Sequence, residues 1–152
     1  MTKGANSVIL EVAYRMLTPV LLMFGIYVLV HGELSPGGGF QAGVILGLAI
    51  ICERILTPED DAKHPLWEYR SVAAAGLGTL LYALVGIFTI AGGGKFLGYS
   101  FLPIPAGIGE RHAYGMLFIE IGVTICVMAT VVSIFDSLGK RGRKDDDSGS
   151  VL

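Results

Sequence analysis

Charge is scarce in this sequence. Asp, Glu, Lys and Arg make up 16% of 152 residues, against roughly 25% in soluble domains. A soluble fold of this length could not cover its surface with so few. Cysteine is scarcer still: Cys52 and Cys126 each sit inside an apolar run and read as small buried hydrophobes rather than a disulfide. No Cys/His cluster has zinc spacing and no haem-attachment motif occurs, so neither metal nor cofactor is expected. The first residues lack a basic segment followed by a small-residue cleavage site, so no cleaved leader is expected. What is abundant is apolar surface. The apolar fraction is 53% and the mean hydropathy is +0.66. The expected class is an all-α integral membrane protein.

A membrane-spanning helix needs about 20 predominantly apolar residues, and four runs qualify, giving four expected transmembrane helices. They cover residues 7–30, 40–56, 71–91 and 113–135. In the first, Glu11 and Arg15 are spaced to pair across one helical turn, and Pro19 should kink the helix, a feature that neighbouring helices accommodate in a membrane. The second is short and places Glu53 and Arg54 near the headgroups. The third carries no charge, and the fourth carries one acid, Glu120. Residues 1–138 then form one membrane domain, and the charged, Gly- and Ser-bearing stretch 139–152 is expected to be a disordered tail. With four spans, Lys3, Arg15, Arg54, Lys63, Arg70, Lys140, Arg141, Arg143 and Lys144 share one side, and only Lys95 and Arg111 face the other. The positive-inside rule puts both termini in the cytoplasm.

The densest glycine segment, HGELSPGGGFQAG at His31–Gly43, contains G-x-G-x-x-A at Gly37, Gly39 and Ala42. A dinucleotide site would require a short strand before it and a soluble βαβ unit around it. A span-length apolar run precedes it instead. GGGK at 92–95 lacks the spaced glycine and hydroxyl residue of a P-loop. Nucleotide and nucleic-acid partners are therefore not expected. Ser35–Gly38 reads as a turn. After it, Gly39, Gly43 and Gly47 repeat every four residues, leaving one helix face without side chains, the pattern that permits close helix approach in lipid. Gly78 and Gly86 supply a similar face on the third helix, together with Ala74. Gln41, just inside the second helix, calls for a buried partner.

Two segments carry a resemblance: YVLVHGELSPGGGFQAGVI at Tyr27–Ile45 and HAYGMLFIEIGV at His112–Val123. They resemble the B subunit of Mrp-type (Mnh) multisubunit cation/proton antiporters, a module also found in membrane-bound hydrogenases and related respiratory complexes. Ala42 stands where the family commonly has glycine. The resemblance implies a small, non-redox, multi-pass subunit of a prokaryotic cell (inner) membrane, without enzymatic activity of its own. Its implied partners are larger antiporter-like subunits, the bilayer, and Na+ and/or H+.

An acid near a helix centre costs about 2.5–3.5 kcal/mol to insert, so Glu120 should face a partner, water or a cation, or hold a proton. Two readings stand: an ion-path or proton-relay group, or a hydrogen-bonded acid joining this subunit to its neighbours. His112, at the outer end of the same helix, and His31, at the exit of the first, carry imidazoles able to take up and release protons and are further candidates for a proton path. Both also fit interfacial histidines without an ion role. Glu110 fits a cap at a helix N-terminus. The rival functions are a purely structural helix-packing subunit and a small self-contained carrier.

Overall fold

The computed structural model describes residues 5–32, 37–56 and 66–149, with side chains over 8–32, 37–55 and 70–139. The expected turn residues Ser35 and Pro36, the acidic segment 57–65 and the side chains of the basic tail lie outside them. Four helices account for most of the chain: α1 (Ala5–Val30), α2 (Gly39–Leu56), α3 (Leu66–Ala91) and α4 (Ile108–Gly149). Three stretches, Val8–Val30, Arg70–Ala91 and Ile108–Gly139, are long and apolar enough to cross a membrane. The fold is all-helical. α2, with 18 residues, is about 27 Å long.

α4 departs most from the expected bounds. It begins at Ile108 rather than 113 and continues to Gly149, through the backbone of the stretch expected to be disordered. Its early start has a local cause. Gly107 N–H donates to Glu110 Oε2 at 3.1 Å while Arg111 N–H donates to the Gly107 carbonyl at 2.9 Å, so the acid three residues into the helix caps it. Its late end reflects the lack of proline after Pro105, since each added residue closes another helical hydrogen bond.

The helices lie side by side in the order α1, α2, α4, α3. α2 packs between α1 and α4, and α4 between α2 and α3. Among the described residues, α3 does not pack against α1 or α2. The result is a row one helix deep rather than a closed bundle. Apolar residues surround these helices on all sides, so burial of a single face cannot set the order. Small residues at the crossings do. Gly25 of α1 faces Leu46, Gly78 of α3 faces the backbone of Gly122 and Cys126, and the buried apolar side chains of α2 are Ala42, Ala49 and Cys52. Large side chains, Met16 and Met23 of α1 among them, point outward and are exposed.

α2 and α4 run parallel. Gly39 lies against Glu120, Gly43 against Thr124 and Val127, and Gly47 against Met128 and Val131. At the far end Arg54 forms an ion pair with Asp136, at side-chain exposures of 20% and 16%. Because α2 starts beside the thirteenth residue of α4, α4 projects about 18 Å beyond that start. The α1–α2 hairpin thus ends in a step below the α3–α4 hairpin. The connection between α3 and α4 packs over that taller hairpin, and includes a 3-10 turn at Tyr99–Phe101. Glu11 and Arg15 pair at 3.3 Å on the exposed surface of α1, as their spacing predicts.

Candidate functional site

The step in the row of helices is where Glu120 sits. α1 ends at Val30, His31 N–H donates to the Tyr27 carbonyl at 3.0 Å, and the chain turns through Gly32. α2 begins at Gly39 after Gly38, whose φ of +152° favours glycine. The Glu120 side chain reaches from α4 into the gap between these two helix ends. A Cβ on Gly32 would lie 2.6 Å from Oε2 and 2.7 Å from Oε1, and one on Gly38 would lie 3.2 Å from Oε1. The carboxyl group therefore lies near the first turn of α2, where the helix dipole favours anionic oxygen.

The backbone of Glu120 is held as closely as its side chain. A Cβ on Gly39 would overlap the Glu120 carbonyl oxygen and lie 2.9 Å from its Cα. Thr124, one turn on and buried, donates from Oγ1 towards both the Gly39 carbonyl at 3.0 Å and the Glu120 carbonyl at 2.7 Å. Thr124 and Gly32 were both missed in the sequence. Thr124 had a signal, since a hydroxyl four residues after a membrane acid shares its helix face. Gly32 had none beyond its place next to His31.

The other predicted residues are distributed unevenly around this point. His31 adjoins Gly32, and its ring stacks back on Tyr27 at 4.3 Å. His112 is eight residues before Glu120 on α4, about 12 Å along the axis. It belongs to a different set of contacts: Nε2 lies 2.7 Å from Ser100 Oγ, and the ring meets Tyr99 edge-on at 5.8 Å. Arg111 fixes the same loop by donating to the Ala106 and Ser100 carbonyls at 2.9 and 3.1 Å. Partial burial pushes the Tyr99 phenol above its ordinary value of 10.0, with the Tyr82 phenol adding to the effect. Gly37 is exposed, and Gly86 makes room for the Phe96 ring.

Gln41 is exposed. It sits two residues from both Gly39 and Gly43, roughly 200° around the helix from each, and therefore on the side of α2 turned away from α4. Among the described residues nothing buries it. A hollow of about 260 Å³ beneath Leu102, Pro103 and Ile104 is lined entirely by apolar residues of α3, α4 and the loop, which suits no ion. Among the described residues no group of His, Cys, Asp and Glu has the arrangement of a metal site.

An all-helical, multi-pass membrane protein with a carboxyl group lying beside two helix ends is the class that fold and site define. The chain belongs to the MnhB family. Residues 9–133 match the model described as a domain related to the MnhB subunit of Na+/H+ antiporter. It is 28% identical over 140 residues to the B subunit of the Na(+)/H(+) antiporter of Bacillus subtilis (strain 168), covering 90% of this chain and 95% of that protein. It is also 28% identical over 136 residues to a putative antiporter subunit mnhB2 of Staphylococcus haemolyticus (strain JCSC1435), covering 88% of this chain and 94% of that one. The corresponding protein of Staphylococcus aureus (strain Newman) is 27% identical over 135 residues, with the same coverage.

Proposed function

We propose that this chain is a non-redox membrane subunit of a multisubunit Na+/H+ antiporter and that Glu120 belongs to its ion or proton path. The observation that carries the reading is the seat of Glu120. Its carboxyl group lies between the end of α1 and the start of α2, beside Gly32 and Gly38. A carboxyl group beside the end of one helix and the start of another resembles the helix-terminus sites at which membrane transporters hold ions and protons. Intramembrane acids are costly to keep without such a use. His31 and His112 are candidate relay groups at the two edges of the step.

All four helices cross the membrane in this reading. α2 packs alongside α4 from Gly39 to the Arg54–Asp136 pair, and it lies between two helices long enough to span. Both termini then face the cytoplasm, with the basic residues of α1, α2 and the tail. The exposed apolar sides of the row meet lipid and larger antiporter subunits. A second reading is supported by the Thr124–Gly39 hydrogen bond and the glycine crossings: a subunit that only packs helices together.

Glu120→Gln and Glu120→Ala separate the two. Cation/proton exchange and complex assembly are measured independently in vesicles from cells expressing the whole antiporter. The ion-path reading expects assembled complexes with exchange lost in both variants. Assembly with unaltered exchange would leave the packing role alone.

A further inference from the structure

The glycines around Glu120 do two different things. At Gly39 an added Cβ would meet the Glu120 backbone, its carbonyl oxygen, Cα and carbonyl carbon. A side chain there forces α2 and α4 apart. At Gly32 the three nearest atoms are Oε2, Oε1 and Cδ of Glu120, at 2.6, 2.7 and 2.9 Å, all within the carboxyl group. Among the described residues, the nearest atoms a side chain there would meet belong to the movable end of another side chain. To recover an ordinary contact of about 3.5 Å the carboxyl group would have to retreat by roughly 0.9 Å, while the helix backbones can stay where they are.

We propose that Gly32 is a positioning residue for Glu120: its missing side chain leaves the slot in which the carboxyl group lies, so residue 32 sets where that group sits between α1 and α2. The proposal rests on the ion-path reading for its functional consequence but not for its structural content. Gly38 borders the same slot more loosely, at 3.2 Å from Oε1, and is already held as glycine by its backbone conformation. Gly32 has no such constraint. Its φ is not positive and its N–H donates to the Leu29 carbonyl at 3.5 Å, so the clearance of the Glu120 carboxyl group is what glycine provides there.

The test uses the whole antiporter complex and four forms of this subunit: wild type, Gly32→Ala, Glu120→Asp and the double variant. Aspartate withdraws the carboxyl group by one methylene, about 1.5 Å, and vacates the slot. Two readouts are taken: exchange rate per assembled complex, and labelling of residue 120 by a hydrophobic carbodiimide, quantified by mass spectrometry. In Gly32→Ala the complex assembles at the wild-type level. Exchange falls by roughly tenfold, within the 100-fold that a 1 Å misplacement can cost, and labelling of Glu120 changes severalfold. Measured against Glu120→Asp alone, the same alanine changes neither readout by more than about twofold, because the shortened acid no longer occupies the slot. Unchanged labelling in Gly32→Ala overturns the proposal, as does failure of that variant to assemble. An equal loss in both backgrounds does the same, because it would mark a general packing defect. Should Glu120→Gln retain full exchange, the ion-path reading falls, and the labelling comparison still decides where Gly32 holds the carboxyl group.

Discussion

Alanine placed at Gly43 and at Gly76, one at a time, makes the same chemical change in two helices with opposite surroundings. Both sites gain the helix propensity of alanine over glycine, about 1 kcal/mol, so that gain cancels when the two variants are compared. At Gly76 a Cβ meets nothing within 4 Å. At Gly43 it would lie 2.8 Å from the Thr124 carbonyl oxygen and 2.8 Å from Val127 Cβ. Restoring a contact of about 3.5 Å separates α2 from α4 by roughly 0.7 Å and stretches the Thr124–Gly39 hydrogen bond. Overpacking of this kind costs about 1–3 kcal/mol, and a chain of this length loses about 2–4 °C in Tm per kcal/mol. The assay is thermal unfolding of the purified chain in detergent with Cys126 replaced by alanine, followed by a thiol-reactive fluorophore that then reports exposure of Cys52, which is only 3% exposed in the fold. Gly43→Ala should melt several degrees below Gly76→Ala. Equal melting temperatures, or a higher one for Gly43→Ala, would refute the assignment of the Gly39–Gly43–Gly47 face to the α2–α4 crossing.

Two other contacts make separate predictions. Arg54 and Asp136 are largely shielded by the ends of α2 and α4, so replacing either with alanine leaves a half-buried charge. Each single change should cost about 1–3 kcal/mol in the same melting assay, and exchanging the two residues should recover part of it; losses below about 0.5 kcal/mol would place the pair among surface ion pairs. Tyr99 should lose its phenolic proton only above pH 10, because its folded value is raised from 10.0. Its contribution to the packing of the Tyr99–Phe101 turn is therefore complete below that value and lost as pH rises through the raised one. Tyr99→Phe should remove a component of the phenolate absorbance titration that lies above pH 10, and an unchanged curve there would contradict the burial of that ring.

The positions of the four helices were legible because apolar runs of span length are an unambiguous signal, and charged or glycine-bearing segments separate them. Helix ends were less so. Hydropathy ends at the last apolar residue, whereas the backbone of α4 continues past it to Gly149, and at the other end the Glu110 cap starts that helix at Ile108, five residues before the expected span. The order of the helices was not legible at all: with apolar residues on every side, no periodicity says which face meets which neighbour. The Arg54–Asp136 pair shows what was missing. Arg54 stands fifteen residues beyond Gly39 and Asp136 sixteen beyond Glu120, a match that acquires meaning only once α2 and α4 are known to run parallel from a common level. Glu120 stood out as an acid in an apolar helix. That it would lie against the glycine-rich turn eighty-odd residues earlier depends on the same unreadable pairing, and so the segment that carried the family resemblance and the acid that carried the chemistry looked like separate features.

The most direct test of an ion-path role for Glu120 is an infrared difference spectrum of the assembled antiporter, recorded as Na+ is added at constant pH, for wild type and for Glu120→Gln. A carboxyl group in the ion path changes its protonation or hydrogen bonding as the cation is exchanged. That role predicts a carboxyl C=O stretching band in the wild-type difference spectrum that is missing from Glu120→Gln. The same band in both proteins, or none in an active wild-type complex, would contradict it.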